Sequence, residues 1–220
     1  MRKPVIAIDG YSSTGKSSIS KQIAKILGIV HMDTGALYRG VTFFALQNCV
    51  KNGQIDIQEL IKCLESIELE FRTSGNELVL FMNGNDISRE IRETEISDNV
   101  SLIAKQKEVR DYLLETQQKI AEKGGVIMDG RDIGTVVLPN ADFKFFITAS
   151  VEERTKRRFL ELQHLGIETT ENEVRENLIK RDKVDSEREV APLKQADDAI
   201  LIDNTNLTKE QTIELILSFI

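Results

Sequence analysis

Residues 10–17 read GYSSTGKS, which fits G-x-x-x-x-G-K-[ST]. The apolar run VIAID (5–9) precedes it and an amphipathic stretch follows at once. A strand, a glycine-rich turn and a helix in that order restrict the possible folds more than any other part of the chain. Gly10 and Gly15 are expected to take backbone angles that a side chain would block. The loop can then turn several N–H groups inward on the β- and γ-phosphates of a nucleoside triphosphate, and the next helix adds the positive end of its dipole. In that frame Lys16 reaches the β/γ-phosphates and Ser17 Oγ is a ligand for Mg²⁺. The ATP-binding segment is then Gly10, Tyr11, Ser12, Ser13, Thr14, Gly15, Lys16, Ser17 and Ser18. A plain Gly/Ser turn shares the same letters, but the strand and helix around it favour the phosphate loop.

Four more short apolar runs read as buried parallel strands: IVHMD (29–33), VIMD (126–129), FKFFIT (143–148) and AILID (199–203). They are continuous rather than alternating, as strands covered on both faces are. Helical stretches lie between them. Ser17 to Leu27 stops at Gly28, and Ala104 to Lys123 stops at Gly124-Gly125. Ser150 with Glu153, Thr170 with Glu173 and Thr208 with Gln211 each have the spacing of a capping box. The alternation predicts an α/β fold with a parallel sheet flanked by helices. One segment interrupts it. From Ile67 the chain reads IELEFRTSGNELVLFM, two alternating runs around Thr73-Ser-Gly-Asn76 that predict an antiparallel hairpin. The region 35–100 therefore reads as an inserted subdomain.

At 220 residues the chain has room for one substantial domain with an insert, or two small ones. Its net charge of −7 argues against a nucleic-acid polymer as partner. The longest apolar runs are too short to span a bilayer, so no membrane association is expected. With no charged, apolar leader at the start, the expected location is the cytoplasm. Cys49 and Cys63 are far apart in sequence and read as free thiols, and with only His31 and His164 there is no zinc constellation. Nothing demands an oligomer, and a monomer is expected.

Strand three ends in Asp129. An acid there, beside a phosphate loop, commonly orients Mg²⁺ directly or through water. A helix cap or turn aspartate is the alternative. The arginines are the next signal: Arg39, Arg110, Arg131, Arg154, Arg157, Arg158, Arg181 and Arg188. Most arginines, taken singly, lie on solvated helix faces. Arg131 and Arg39, however, follow strands three and two at the carboxyl edge of the sheet, where α/β folds bind ligands. A nucleotide monophosphate carries about −1.5 to −2 charges and would have to meet the γ-phosphate. Arginine's planar fork both neutralises and aligns phosphoryl oxygens. Either Arg157 or Arg158 could face the cleft. No NKxD-type base-reading motif of switch GTPases is present. An ionised phosphate acceptor needs no general base, so catalysis would rest on positioning and electrostatics.

At these residues the chain resembles the bacterial cytidylate kinases over nearly its full length. The likeness rests on the loop with its preceding IDG, MDTGALYRG (32–40), GNDISREIR (84–92), VRDYL (109–113), DGRDIGTVV (129–137) and RDKVDSEREVAPL (181–193). The resemblance implies a nucleoside-monophosphate-kinase fold: a P-loop core at 1–34, 101–153 and 189–220, a monophosphate-binding insert at 35–100 and a lid at 154–188. It implies transfer of the γ-phosphoryl of ATP to CMP or dCMP, with Mg²⁺. Lys16 would hold the donor phosphates. Arg39, Arg131 and Arg181 would grip the acceptor phosphate or the transferring group, with Arg158 reaching in from the lid. Ser101, Arg110, Asp132 and Arg188 would read cytosine, and Asp185 the sugar hydroxyls. Thr34 stands where many relatives have serine, which keeps the hydroxyl and adds a methyl beside the sugar or base. Ser17 stands where some have glycine or threonine, and supplies a metal-ligating hydroxyl. A carboxylate such as Asp132 accepts from the cytosine amine but would face the O4 acceptor of uracil, so such a site discriminates. The rival readings are another P-loop small-molecule kinase, acting on UMP or a sugar, and a nucleotide-gated binding module.

Overall fold

Val5–Gly10 (β1) buries all six of its residues, because it runs down the middle of a parallel sheet. The computed structural model describes residues 3–74 and 77–220. After β1 come α1 (Lys16–Leu27), β2 (Val30–Asp33), α2 (Thr34–Asn48), the short β3 (Val50–Lys51) and β4 (Gln54–Ile55), and α3 (Ile57–Cys63). The hairpin strands β5 (Leu69–Ser74) and β6 (Glu77–Met82) and the short β7 (Asn85–Asp86) follow, then α4 (Thr94–Ala104), α5 (Lys107–Ala121) and β8 (Val126–Gly130). The chain ends with β9 (Phe143–Thr148), α6 (Val151–His164), α7 (Glu171–Glu187), β10 (Ile200–Asp203) and α8 (Lys209–Leu217).

The main sheet has the order β10-β9-β1-β8-β2, with every pairing parallel. Strand residues alternate between two cores. Ile6 and Ile8 join Ile19, Ile23, Phe145, Ile147 and Ile213 on the side of α1 and α8. Val5 and Ala7 join Met32, Leu37, Val41, Ile103 and Leu113 on the side of α2, α4 and α5. Each fully buried isoleucine contributes roughly 1.5–3 kcal/mol. β1 can lie this close to β9 because residue 10 is glycine. Its φ is 148°, and a Cβ there would sit 2.0 Å from the carbonyl oxygen of Ile147.

Several sequence expectations need correction. Runs 29–33 and 199–203 are edge strands, not buried ones: Val30 is 45% exposed and Leu201 54%. The helix expected from Ala104 to Lys123 is α5, which begins only at Lys107, because Ala104 closes α4 and the chain turns at Lys105-Gln106. Thr170 and Thr208 form complete capping boxes. Ser150 accepts from Glu153 N, but Glu153's carboxylate instead pairs with Arg157. Cys49 and Cys63 are both free, yet the fold brings Cys63 against Cys49.

The antiparallel pairing of β5 with β6 matches the predicted hairpin, while Gly75 and Asn76 of its turn lie outside the described residues. This small sheet packs on α2 across Gly40, where a Cβ would meet Leu69 at 3.1 Å and Leu80 and Ile87 at 3.3 Å. Leu60, Ile67, Leu80 and Ile91 thus share a core with one face of the main sheet. Helices α6 and α7 form a hairpin with a separate small core, Leu162, Val174 and Leu178. Among the described residues no helix is long and apolar enough to cross a membrane.

Candidate functional site

A cleft of about 2280 Å³ opens along the carboxyl edge of the sheet. It is lined by every site residue expected from the sequence except Gly10 and Tyr11. Gly10 faces β9 instead. The Tyr11 ring packs edge-on against Phe146 and lies under the Arg154 guanidinium, so the loop offers its backbone rather than this side chain. Ser13 and Gly15 both have positive φ, 60° and 85°, the alternation that turns successive loop N–H groups to one side. Asn204 Nδ2 holds the loop from behind, donating to Thr14 O at 2.9 Å.

Lys16 opens α1 almost wholly buried, with Nζ donating to Tyr11 O at 2.6 Å. Burial, then the nearby Arg131 charge, pushes its ammonium down to about 7, against the pull of Asp129, Asp9 and Asp185. Beside it Ser17 Oγ donates to Asp129 Oδ2 at 2.6 Å. Asp129 is placed by the parallel register of β8 with β2, which sets it opposite Asp33. Thr34 Oγ1 donates to Asp129 O at 2.8 Å, and the close approach requires Gly130, where a Cβ would lie 2.7 Å from that same hydroxyl. Sequence reasoning missed one partner here. His31 Nε2 lies 2.7 Å from Asp129 Oδ1. Among the described residues no three or more His, Cys, Asp or Glu side chains gather to hold a metal. The Ser17–Asp129 pair supplies two hard oxygens.

Arg131, Arg39, Arg158 and Arg181 line the cleft. Arg131 donates from Nε to Asp185 Oδ2 at 2.9 Å and from Nη2 to Ser12 Oγ at 3.1 Å. Burial disfavours its charge, but Asp185 overcomes that and holds its pKa above the ordinary value. Arg39 donates to Asp33 Oδ2 at 2.6 Å. Arg158 pairs with Glu161 at 2.8 Å on the rim. Arg157 lines the cleft as well, but its guanidinium is engaged by Glu153 and Asn204. Arg181 differs from the rest: its Nε is buried with no hydrogen-bond partner. Burial, then the positive charges of Arg131, Arg158 and Arg39, pushes it down to about 10 although Asp185 opposes them.

Across the cleft, Asp132 is buried with both oxygens engaged. Arg110 Nη2 donates to Oδ2 and Arg188 Nη2 lies 3.4 Å from Oδ1. Arg110 also donates to Ala104 O at 3.1 Å and lies over the Tyr38 ring. Arg188 is fixed by its Nε bond to Ala191 O at 2.7 Å. Ser101 on α4 lines the same end. A second residue sequence reasoning left unassigned is Arg154. It is buried, donating to Ser12 O at 3.3 Å, Ala149 O at 3.0 Å and Asp182 Oδ2 at 2.7 Å. It therefore joins the phosphate loop to both α6 and α7.

Residues 6–220 match the family model described as cytidylate kinase. A cytidylate kinase of Bacillus cereus (strain ATCC 10987 / NRS 248) is 45% identical over 218 residues, covering 98% of this chain and 95% of the relative. One of Bacillus thuringiensis (strain Al Hakam) is 44% identical over 218 residues with the same coverage, 98% and 95%. Among solved structures, an uncharacterized protein from Eubacterium ventriosum ATCC 27560 has a TM-score of 0.52 at 12% identity, covering 99% of this chain and 98% of that one. That likeness bears on the fold alone.

Proposed function

The chain belongs to the cytidylate kinase family, and from that premise we propose how its cleft divides the work of moving the γ-phosphoryl group of ATP onto CMP or dCMP. Two anions must meet, and the acceptor oxygen is already ionised. The protein's task is to align the phosphates and compensate their charge.

The donor half is the loop from Gly10 to Ser18. Lys16 leaves Tyr11 O for the donor phosphates, whose charge restores its own. Mg²⁺ suits the oxygens of Ser17 and Asp129, since that ion takes few protein ligands and completes its shell with phosphate oxygens and water. When bound it neutralises charge on the phosphate oxygens. The acceptor half is the arginine group. Arg39, Arg131 and Arg181 hold the acceptor phosphate or the transferring group, and Arg158 joins them from the lid. One observation carries this most: Arg181, half-buried among like charges, has a buried Nε with no partner. A phosphoryl oxygen supplies both the missing acceptor and the missing negative charge. Asp132, Arg110, Arg188 and Ser101 read cytosine, Thr34 adds its methyl beside sugar or base, and Asp185 takes the sugar hydroxyls.

In this reading 1–34, 101–153 and 189–220 are the rigid core, 35–100 positions the acceptor, and 154–188 closes as a lid that keeps water from the γ-phosphate. A cytoplasmic monomer acting on free nucleotides belongs to the same reading. The deciding experiment is ADP release measured with CMP, dCMP, UMP and no acceptor, each with Mg²⁺ and ATP. CMP and dCMP should support rapid release and UMP much less. Comparable release without any acceptor would overturn the reading.

A further inference from the structure

The Asp129 carboxylate is held at both ends. Ser17 Oγ donates to Oδ2 at 2.6 Å, and His31 Nε2 lies 2.7 Å from Oδ1. An ionised carboxylate can only accept, so Nε2 carries the proton in this contact. The two partners come from different elements, α1 and the edge strand β2, and Asp129 from β8 between them. Asp129 is 3% exposed, whereas the His31 side chain is 18% exposed and lines the cleft. His31 and Asp33 are two apart on β2 and share a face. One reaches the donor side through Asp129, the other the acceptor side through Arg39.

We propose that His31 is a positioning residue for the cation end of the donor site, fixing the rotation of the Asp129 carboxylate. This rests on the reading of Ser17 and Asp129 as the Mg²⁺ partners. The last torsion of an aspartate is broad, so a single hydrogen bond leaves the carboxylate free to swing. A cation taken by both Ser17 and Asp129 replaces the hydrogen bond between them. Of the two side chains bonded to the Asp129 carboxylate, His31 is then the one that remains. Such outer partners set the orientation and basicity of metal ligands, and their loss typically weakens metal binding about 10–100-fold.

The test uses Mn²⁺ as the probe, with free ion counted by electron paramagnetic resonance in the presence of a non-hydrolysable ATP analogue. Wild type, Ser17→Ala, Asp129→Asn, His31→Phe and His31→Gln are compared, and CMP affinity without donor or metal is measured by calorimetry. His31→Phe should bind Mn²⁺ about 10–100-fold more weakly. His31→Gln, which keeps an N–H donor, should recover most of the loss, and CMP affinity should hold throughout. If the phenyl ring disturbs the fold, seen as lost CMP binding, His31→Ala makes the same comparison. Wild-type Mn²⁺ affinity in the His31 variants, with affinity lost in Ser17→Ala and Asp129→Asn, would overturn the role of His31 alone. A glutamine variant as weak as the phenylalanine one would also overturn it, since packing and not the bond would then matter. Unchanged Mn²⁺ binding in Ser17→Ala and Asp129→Asn would overturn the metal assignment itself.

Discussion

Arg131 and Asp185 are 54 residues apart in sequence and joined at 2.9 Å, Nε to Oδ2, so that the end of β8 and the last turn of α7 share one ion pair inside the cleft. The other edge of the same guanidinium reaches Ser12 of the phosphate loop. A residue bound at once to the phosphate loop and α7 is well placed to feel a group transferred between them.

Arg131→Ala is therefore expected to reduce turnover by roughly 10³–10⁵, the range for arginines that stabilise phosphoryl-transfer transition states. It should also cost on the order of 3 kcal/mol of stability, because Asp185 is left buried without its partner. Steady-state turnover and urea unfolding of the same preparation separate the two effects. A variant within tenfold of wild-type turnover would reduce Arg131 to a strut between α7 and the core.

The stretch 154–188 should move when both nucleotides bind. Its hairpin has only a small core of its own, so opening exposes little apolar surface. Arg154 marks where motion must stop, since it is buried against Ser12 O, Ala149 O and Asp182. Hydrogen exchange with a bisubstrate analogue should show new protection around Arg158 and along α7 to Arg181. The first turn of α6, around Arg154, should stay protected with or without ligand. Equal exchange across 154–188 in both states would place the lid elsewhere.

Much of this was legible in the chain because the determinants are local. A phosphate loop must follow a strand and precede a helix, and glycine at 10 and 28 punctuates both. The capping boxes at Thr170 and Thr208 are four-residue patterns. What was not legible depends on partners distant in sequence. Apolar runs do not say which strands are edges, so Val30 and Leu201 looked buried. Lys105 and Gln106 are good helix formers, and the turn there follows from how α4 and α5 pack. Arg154 follows two glutamates at a helix start and reads as a solvated charge until Asp182, 28 residues on, folds back upon it. His31 carries no motif, and its bond to Asp129 spans 98 residues.

Asp9 should make stability fall as pH rises. Both its oxygens accept backbone N–H groups, from Ile133 and Gly134 at 2.7 Å. Burial nevertheless pushes its carboxyl up to about 7 from 3.8, with Asp132 adding to the rise and the two backbone N–H groups and Lys16 opposing it. Below the unfolded value both states hold the proton and the contribution is complete. Between the two values the folded state holds more, so stability declines until pH passes about 7. Urea unfolding of wild type and Asp9→Asn at pH 5 and pH 8 isolates this. Wild type should lose about 2–3 kcal/mol relative to the variant across that interval. Asn also gives up one of the two backbone bonds, an offset present at both pH values. Parallel pH dependence in the two proteins would mean that Asp9 is ionised throughout.

Asp132→Asn should weaken the preference for CMP over UMP. The carboxylate is buried between Arg110 and Arg188, which hold its oxygens and fix its plane in the cleft. Each oxygen keeps a second lone pair, so one can accept from the exocyclic amine of cytosine while the arginines stay in place. An amide of the same size has one oxygen only, and its NH₂ would face one of the two guanidinium groups or turn to the base, where it suits the O4 of uracil. The CMP-over-UMP ratio in kcat/KM should fall by about 1–3 kcal/mol in free-energy terms if one buried bond to the base is lost. Most of the change should come from CMP. Both acceptors measured at saturating ATP give the ratio directly. If instead Asp132 serves only to hold the arginines apart, CMP and UMP should suffer equally, and base recognition would pass to Ser101 and the insert.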